Sequence, residues 1–215
     1  EGTGSGGALR FSVTLAPASA QTVTVEFGTI DGTAAGGADY AEQGATLTFA
    51  PGVMSQTIVV PLVGDALDEL SETLLVVLGS AVNAAIVNPQ AAGTIEDDDA
   101  APSLGIDDVA VVEGNAGITN AVFTVSLSAP SAQSVSVAYG TANGGATAPA
   151  DYTNTTGTLT FPPGTTAGTV VVALPGDATN EDDETFEVIL TNATNATLEF
   201  LAVQPSDAGD YTVRV

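Results

Sequence analysis

At 215 residues the chain has room for two domains of roughly 100 residues, each large enough for one modest hydrophobic core. Its charge is lopsided: 26 acidic residues stand against Arg10 and Arg214, with no lysine and no histidine, for a formal net charge of −24. This disfavours nucleic acid and anionic membranes as partners, since neutralising phosphate needs a basic patch, and the absence of cysteine and histidine removes disulfides, thiol nucleophiles, histidine triads and soft-metal sites.

Glu1–Leu78 and Glu113–Leu190 read in one gap-free register offset by 112 residues, with about 35 of 78 positions identical, so the chain is two copies of one domain. In chain order, alternating apolar residues predict half-buried strands at Phe11–Leu15, Val23–Phe27, Leu47–Phe49, Ile58–Leu62 and Leu74–Leu78. The second copy repeats them at Phe123–Leu127, Val135–Tyr139 and onward to Phe186–Leu190. Ala50-Pro51-Gly52 and Pro162-Pro163-Gly164 are turn signals and predict hairpins between adjacent strands. No window has a helical period. The expected fold is all-β: two tandem antiparallel immunoglobulin-like β-sandwiches, over residues 1–99 and 103–215, with 100–102 as a short linker.

Copy one closes with a short strand and the run Glu96, Asp97, Asp98, Asp99. Ser103–Val112 supplies an opening strand to copy two that copy one lacks, leaving an expected open edge beside Phe11. At the far end, Asp207-Ala208-Gly209-Asp210-Tyr211 has the pattern of a tyrosine corner, and Tyr211, Val213 and Val215 alternate as a closing strand does. With no stretch of about 20 apolar residues, membrane insertion is not expected. Lacking an initiator methionine, the sequence reads as a processed or excised piece.

Acids recur between copies at Glu1/Glu113, Asp39/Asp151, Asp65/Asp177, Glu69/Glu181 and Glu72/Glu184. Carboxylates gathered within about 5 Å repel by roughly 3 kcal/mol per pair at an effective dielectric near 20. Divalent cations or high salt are therefore expected in the medium, and with only oxygen ligands on offer calcium suits a crowded carboxylate set better than magnesium. Taken alone, a run such as Asp97–Asp99 is more often a solvated linker. Asp68, Asp182, Asp183 and Glu187 do not recur and are expected in solvent or behind the ligands. Asp31, Glu26 and Glu42 read as surface charges, and Gly28, Gly32, Gly52 and Gly64 as turn residues. Asn154, Asn192 and Asn195 fit the glycosylation acceptor pattern, which threonine-rich sequence also produces by chance.

The opening Glu-Gly, the loop ending Ala38-Asp39-Tyr40 (Ala150-Asp151-Tyr152), the Thr-Leu-Thr-Phe strand with Pro-Gly, the acidic stretch Gly64–Glu72 and the ending Gly93-Thr94-Ile95 with Asp97–Asp99 together resemble the Calx-beta domain family. The resemblance covers nearly the whole chain except about its last 17 residues. It implies calcium bound at one pole of the sandwich. Carried over by position, the ligands are Glu1, Asp39, Asp65, Glu69, Glu72, Asp97, Asp98 and Asp99 in copy one, and Glu113, Asp151, Asp177, Glu181 and Glu184 in copy two. Copy two departs from the family pattern at its end, where no aspartate triplet follows.

The leading expectation is a calcium-binding extracellular structural or adhesive module, secreted or on a cell surface. Its ions rigidify the junction between domains, and its partners are other chains or copies of itself. The alternative is a self-assembling filament or surface-layer subunit, in which the tail Tyr211–Val215 completes the next subunit's sandwich. Salt adaptation without an ion site would explain the missing lysine but not the recurring loop acids. No catalytic pairing is legible, and a carboxylate-pair glycosidase would find few of the aromatics that grip sugars, so the chain is expected not to be an enzyme.

Overall fold

The computed structural model describes residues 2, 7–179 and 182–198. The chain divides into two compact units, residues 1–99 and 100–215. Unit 1 contains β1 (Ala8–Thr14), β2 (Val23–Asp31), β3 (Gly44–Phe49), β4 (Ser55–Pro61), β5 (Glu72–Val82) and β6 (Gln90–Ile95). Unit 2 contains β7 (Ser103–Ile106), β8 (Gly117–Leu127), β9 (Val135–Asn143), β10 (Thr156–Phe161), β11 (Ala167–Gly176), β12 (Phe186–Thr194) and β13 (Thr197–Leu198). Among the described residues no helix occurs.

Period-two alternation decides which side chains are buried. Val23 and Val25 in β2, Ile58 and Val60 in β4, and Leu74 and Val76 in β5 are all 5 % exposed or less, while the residues between them face outward or lie at half depth. In unit 1 the layers are β1-β4 and β3-β2-β5-β6; in unit 2 they are β11-β8-β7-β13 and β10-β9-β12. Pairing is antiparallel throughout, apart from the two-residue parallel contact of β13 with β7. The counterpart of β6 in unit 2, like the predicted tail strand and tyrosine corner, falls outside the described residues.

The Pro-Gly turns do not make hairpins. β3 pairs with β2 and β4 pairs with β1, so Pro51-Gly52 carries the chain from one layer to the other, and Pro163-Gly164 does the same between β10 and β11. Each is a genuine turn, closed by Val53 N–H to Ala50 C=O (2.9 Å) and Thr165 N–H to Pro162 C=O (3.0 Å). Both are pinned to the end of the first layer, through Gly52 N–H to Ser19 C=O and Gly164 N–H to Ser131 C=O, each 2.9 Å. The buried rings of Phe49 and Phe161 end their strands between the layers, so the chain arches over them instead of folding back flat.

Gly32 and its counterpart Gly144 owe their identity to crowding, not to a turn conformation. Their loops press on the start of the neighbouring strand, where Ala34 N–H donates to Thr73 C=O and Ala146 N–H to Thr185 C=O, both at 3.0 Å. A Cβ at Gly32 would lie 2.3 Å from the Thr73 oxygen, and one at Gly144 would lie 2.4 Å from the Thr185 oxygen. Because these obstacles are backbone, Gly32→Ala and Gly144→Ala are each expected to destabilise their unit by about 2 kcal/mol. Gly79→Ala, which meets open space, should cost less than about 0.5 kcal/mol. Urea unfolding of the three variants checks this ranking.

Candidate metal site

Three connections converge on one pole of unit 1. β2 ends at Asp31 opposite Leu74, and β5 begins at Glu72 opposite Ile95, where β6 runs out into Glu96–Asp99. Val63 N–H donates to Asp39 C=O at 2.9 Å, which lays the Leu62–Asp65 segment against the 32–40 loop. Strand pairing thus delivers acids distant in sequence to one place.

The 32–40 loop is held by its own polar groups. Asp39 Oδ2 accepts the Ala35 N–H at 2.7 Å, and the Asp39 N–H donates to Ala35 C=O at 3.0 Å. Beside it Tyr40 is fully buried, its hydroxyl donating to Asp31 Oδ1 at 2.5 Å, and the Gly36 N–H reaches the same oxygen at 2.8 Å. Burial and this bond push the Tyr40 hydroxyl up to about 12, while Tyr40 and Gly36 hold the Asp31 carboxyl below its ordinary value. Asp31 is exposed, as the sequence reading expects, and also anchors the loop.

Unit 2 repeats the device with an amide. Tyr152 donates to Asn143 Oδ1 at 2.6 Å, and Thr147 N–H donates to Asp151 Oδ2 at 2.7 Å. Because Asn143 replaces Asp31, recurrence of the acid could not flag the position; recurrence of the tyrosine could. Asp65 Oδ1 accepts Leu67 N–H at 2.8 Å, and Asp177 Oδ1 accepts Thr179 N–H at 2.6 Å, so both form short Asx turns.

Asp39, Glu69 and Glu72, all partly buried, each place a carboxylate oxygen within 4.8 Å of the others. Among the described residues this is the one such trio. Burial first, then the charges of Asp39, Asp65, Asp97 and Asp99, push Glu69 above its ordinary 4.5. Asp99 is likewise raised, by burial and then by Asp98, Asp97 and Asp65. Asp97 Oδ1 and Asp99 Oδ2 are closed off from solvent with no hydrogen-bond partner. Such oxygens are costly unless something positive meets them. Asp98 Oδ1 accepts the Gly2 N–H at 2.7 Å.

In unit 2, Glu184 is raised by burial, then by Asp151 through charge and hydrogen bonding, then by Glu113 and Asp182. The Glu113 carbonyl accepts the Thr119 hydroxyl at 2.6 Å. Gly176 lets this stretch come close, since a Cβ there would sit 2.3 Å from the Gly114 oxygen. Asp177 stands exposed on its own turn. Glu1 and Glu181 lie outside the described residues.

Of the acids set aside in sequence, Asp182 and Asp183 are exposed as expected, but Asp68 is only 7 % exposed. It turns inward within the acidic segment instead of facing solvent. Its counterpart is Asn180, so recurrence gave no signal. Asn195, one of the glycosylation-pattern asparagines, donates its side-chain amide to Ser134 C=O at 3.0 Å, as Asn83 does to Thr22 C=O at 2.9 Å. Its amide is a structural tie.

The donor set is hard, anionic and partly dehydrated. Calcium accepts 6–8 oxygens in irregular geometry, whereas magnesium demands a strict octahedron and keeps its waters. Residues Asp39, Glu69 and Glu72, with the two closed oxygens of Asp97 and Asp99, fit the former.

Comparison with known proteins gives the chain its family. The Calx-beta domain matches twice, over residues 3–99 and 97–213. Adhesion G-protein coupled receptor V1 of Danio rerio is 30% identical over 177 residues, which is 79% of this chain and 3% of that receptor's length. The chain therefore spans a small fraction of this relative. Similar solved structures include CBD12 from CALX1.2 (25% identity, 87% of this chain and 74% of that one, TM-score 0.43). The apo form of the Calx CBD1 domain is another (29% identity, 43% and 84%, TM-score 0.41). With the family matched across both repeats, the chain belongs to the Calx-beta domain family and carries two of its domains.

Proposed function

We propose that unit 1 binds calcium at the pole formed by Asp39, Glu69 and Glu72, with Asp97 and Asp99 completing the shell and Asp65 and Asp98 close by. The observation that carries this reading is the pair of solvent-closed, unpartnered oxygens on Asp97 and Asp99 next to three carboxylates within 4.8 Å. When bound, the ion supplies positive charge and nothing else. The chain's part is to hold the acids in place by the Ala35–Asp39 bonds, the Tyr40–Asp31 anchor and the β5–β6 pairing. Unit 2 offers a weaker site of Asp151, Glu184 and Glu113, with Asp177 contributing, while Glu181 falls outside the described residues. Like the rest of its family, the protein is a binding module and not an enzyme.

Sequence places Asp97–Asp99 directly before Ala100. Ordering this run on an ion would order the start of the connection to unit 2, which makes the protein a calcium-stiffened element of a repeat array. An extracellular location is supported by the similarity to a stretch of an adhesion receptor. The filament alternative needs the tail Tyr211–Val215 to complete the sandwich of the next subunit's copy one, and that tail lies outside the described residues.

Calorimetric titration of the chelator-treated chain should show saturable heat with calcium. Glu69→Gln and Asp39→Asn should each weaken binding at least about tenfold, or about 1.4 kcal/mol, while Asp183→Asn leaves it unchanged. Absence of binding heat in the wild-type chain contradicts the proposal.

The raised carboxyls give a pH test with a definite sign. Glu69, Glu184 and Asp99 sit above their ordinary values in the folded state, so the stability they contribute is present below 4.5 for the two glutamates and below 3.8 for Asp99, and is lost as pH rises through their folded values. Asp31 is lowered and works oppositely, its contribution being lost as pH falls through its depressed folded value. In chelator the melting temperature should therefore fall from about pH 4.5 towards neutrality. Saturating calcium, which favours the charged forms, should remove or reverse that fall. A chelated protein whose melting temperature rises over this window would count against the cluster's repulsion.

A further inference from the structure

The β2–β5 ladder ends with Asp31 opposite Leu74. The next residue of β5 towards the pole is Thr73, which follows Glu72 directly. Both main-chain groups of Thr73 are taken by consecutive residues of the 32–40 loop. Ala34 N–H donates to the Thr73 C=O at 3.0 Å, and the Thr73 N–H donates to the Thr33 hydroxyl oxygen at 2.9 Å. The first bond is backbone and asks little of the sequence. The second needs a side-chain acceptor at position 33.

This clamp lies on a short path between two acids of the trio. Ala35, next to Ala34, holds Asp39 twice, through its N–H to Asp39 Oδ2 at 2.7 Å and through its C=O from the Asp39 N–H at 3.0 Å. At the other end Thr73 is joined covalently to Glu72. Asp39 and Glu72 place carboxylate oxygens within 4.8 Å of each other and of Glu69. A single bond at Thr73 would act as a hinge between the two acids, whereas bonds from two adjacent residues stop the loop from pivoting.

Unit 2 supplies the comparison. Thr147 holds Asp151 in the same way, by its N–H to Oδ2 at 2.7 Å and by its C=O from the Asp151 N–H at 3.0 Å. Ala146 N–H donates to the Thr185 C=O at 3.0 Å, and Glu184 precedes Thr185. At the position of Thr33, however, unit 2 has Gly145, which offers the Thr185 N–H no hydroxyl. Room for one exists: a Cβ at Gly145 would stand 3.6 Å from the Thr185 nitrogen and 3.6 Å from Glu184 Cβ, both ordinary contacts. The φ of Gly145 is not in the left-handed region. Neither crowding nor backbone conformation demands glycine there, in contrast to Gly144.

We infer that Thr33 is a positioning residue for cation binding at the unit 1 pole, its hydroxyl turning a hinge at Thr73 into a two-point clamp that keeps Asp39 and Glu72 at the spacing an ion bridges. This rests on the calcium reading of that pole and adds to it a determinant outside the ligand set. The Thr33–Thr73 bond is exposed, so water competes for it and it contributes little to global stability. Its effect falls on ligand geometry, where a supporting partner one step behind the ligands is worth roughly 10–100-fold in metal affinity.

The test uses the full chain. The calcium affinity of unit 1 is read from the Ala35 amide resonance, well below the melting temperature in chelator, so that changes in global stability do not enter. Thr33→Val keeps the side-chain shape and removes the acceptor; it should weaken binding at least about tenfold and speed amide exchange at Thr73. Thr33→Ser keeps the hydroxyl and should match the wild type in both. In unit 2, Gly145→Thr should slow amide exchange at Thr185, and Gly145→Ala should not. Equal calcium affinity in the wild type and Thr33→Val overturns the inference while leaving the calcium reading intact. A loss shared by Thr33→Ser overturns it as well, because shape and not the hydroxyl would then matter, and so does an unchanged Thr185 amide in Gly145→Thr. No calcium response at Ala35 in the wild-type chain defeats the calcium reading itself, and the inference with it.

Discussion

Everything about the acidic pole follows from a missing counter-charge. The chain has no lysine or histidine, Arg10 sits exposed on β1, and Arg214 lies beyond the described residues. Strand pairing nevertheless forces Asp39, Glu69, Glu72, Asp97 and Asp99 toward one place, because Glu72 opens β5 directly opposite the end of β6 and the 32–40 loop is tied to Thr73. Ordinary proteins offset such a cluster with a basic side chain. Here any positive charge that offsets the cluster has to come from solution, and the proposed calcium site rests on that requirement.

The two units act as controls for one another. Both use a buried tyrosine, Tyr40 or Tyr152, to fasten the loop that carries the first aspartate, and both crowd that loop against the next strand so that only glycine fits. They differ where function would differ. Unit 1 has the tight trio and the closed aspartate oxygens, whereas unit 2 has Glu184 beside Asp151 and Glu113. Conversely, unit 2 has β7 and an unbroken core, while unit 1 has a cleft in the same position.

Much of this was legible in the sequence because repetition filters chance. Alternation located Val23, Val25, Leu74 and Val76 as core, and recurrence at a fixed offset singled out Asp39 and Glu72 among many acids. The same filter hid what does not recur. Asp68 turns inward opposite an asparagine in the other copy, and Asp31 anchors a loop where unit 2 uses Asn143. Local signals misled where topology decides: Pro51-Gly52 has the composition of a hairpin turn, yet its flanking strands belong to different layers, since pairing partners are set by nonlocal packing.

The central claim is that a cation, and not solvent alone, makes the acidic pole tolerable. Crystals of the protein grown with calcium, with anomalous diffraction collected to locate it, test this most directly. The account predicts an anomalous peak at about 2.3–2.6 Å from carboxylate oxygens of Asp39, Glu69 and Glu72. A map without calcium there, with these side chains splayed into solvent, would contradict it.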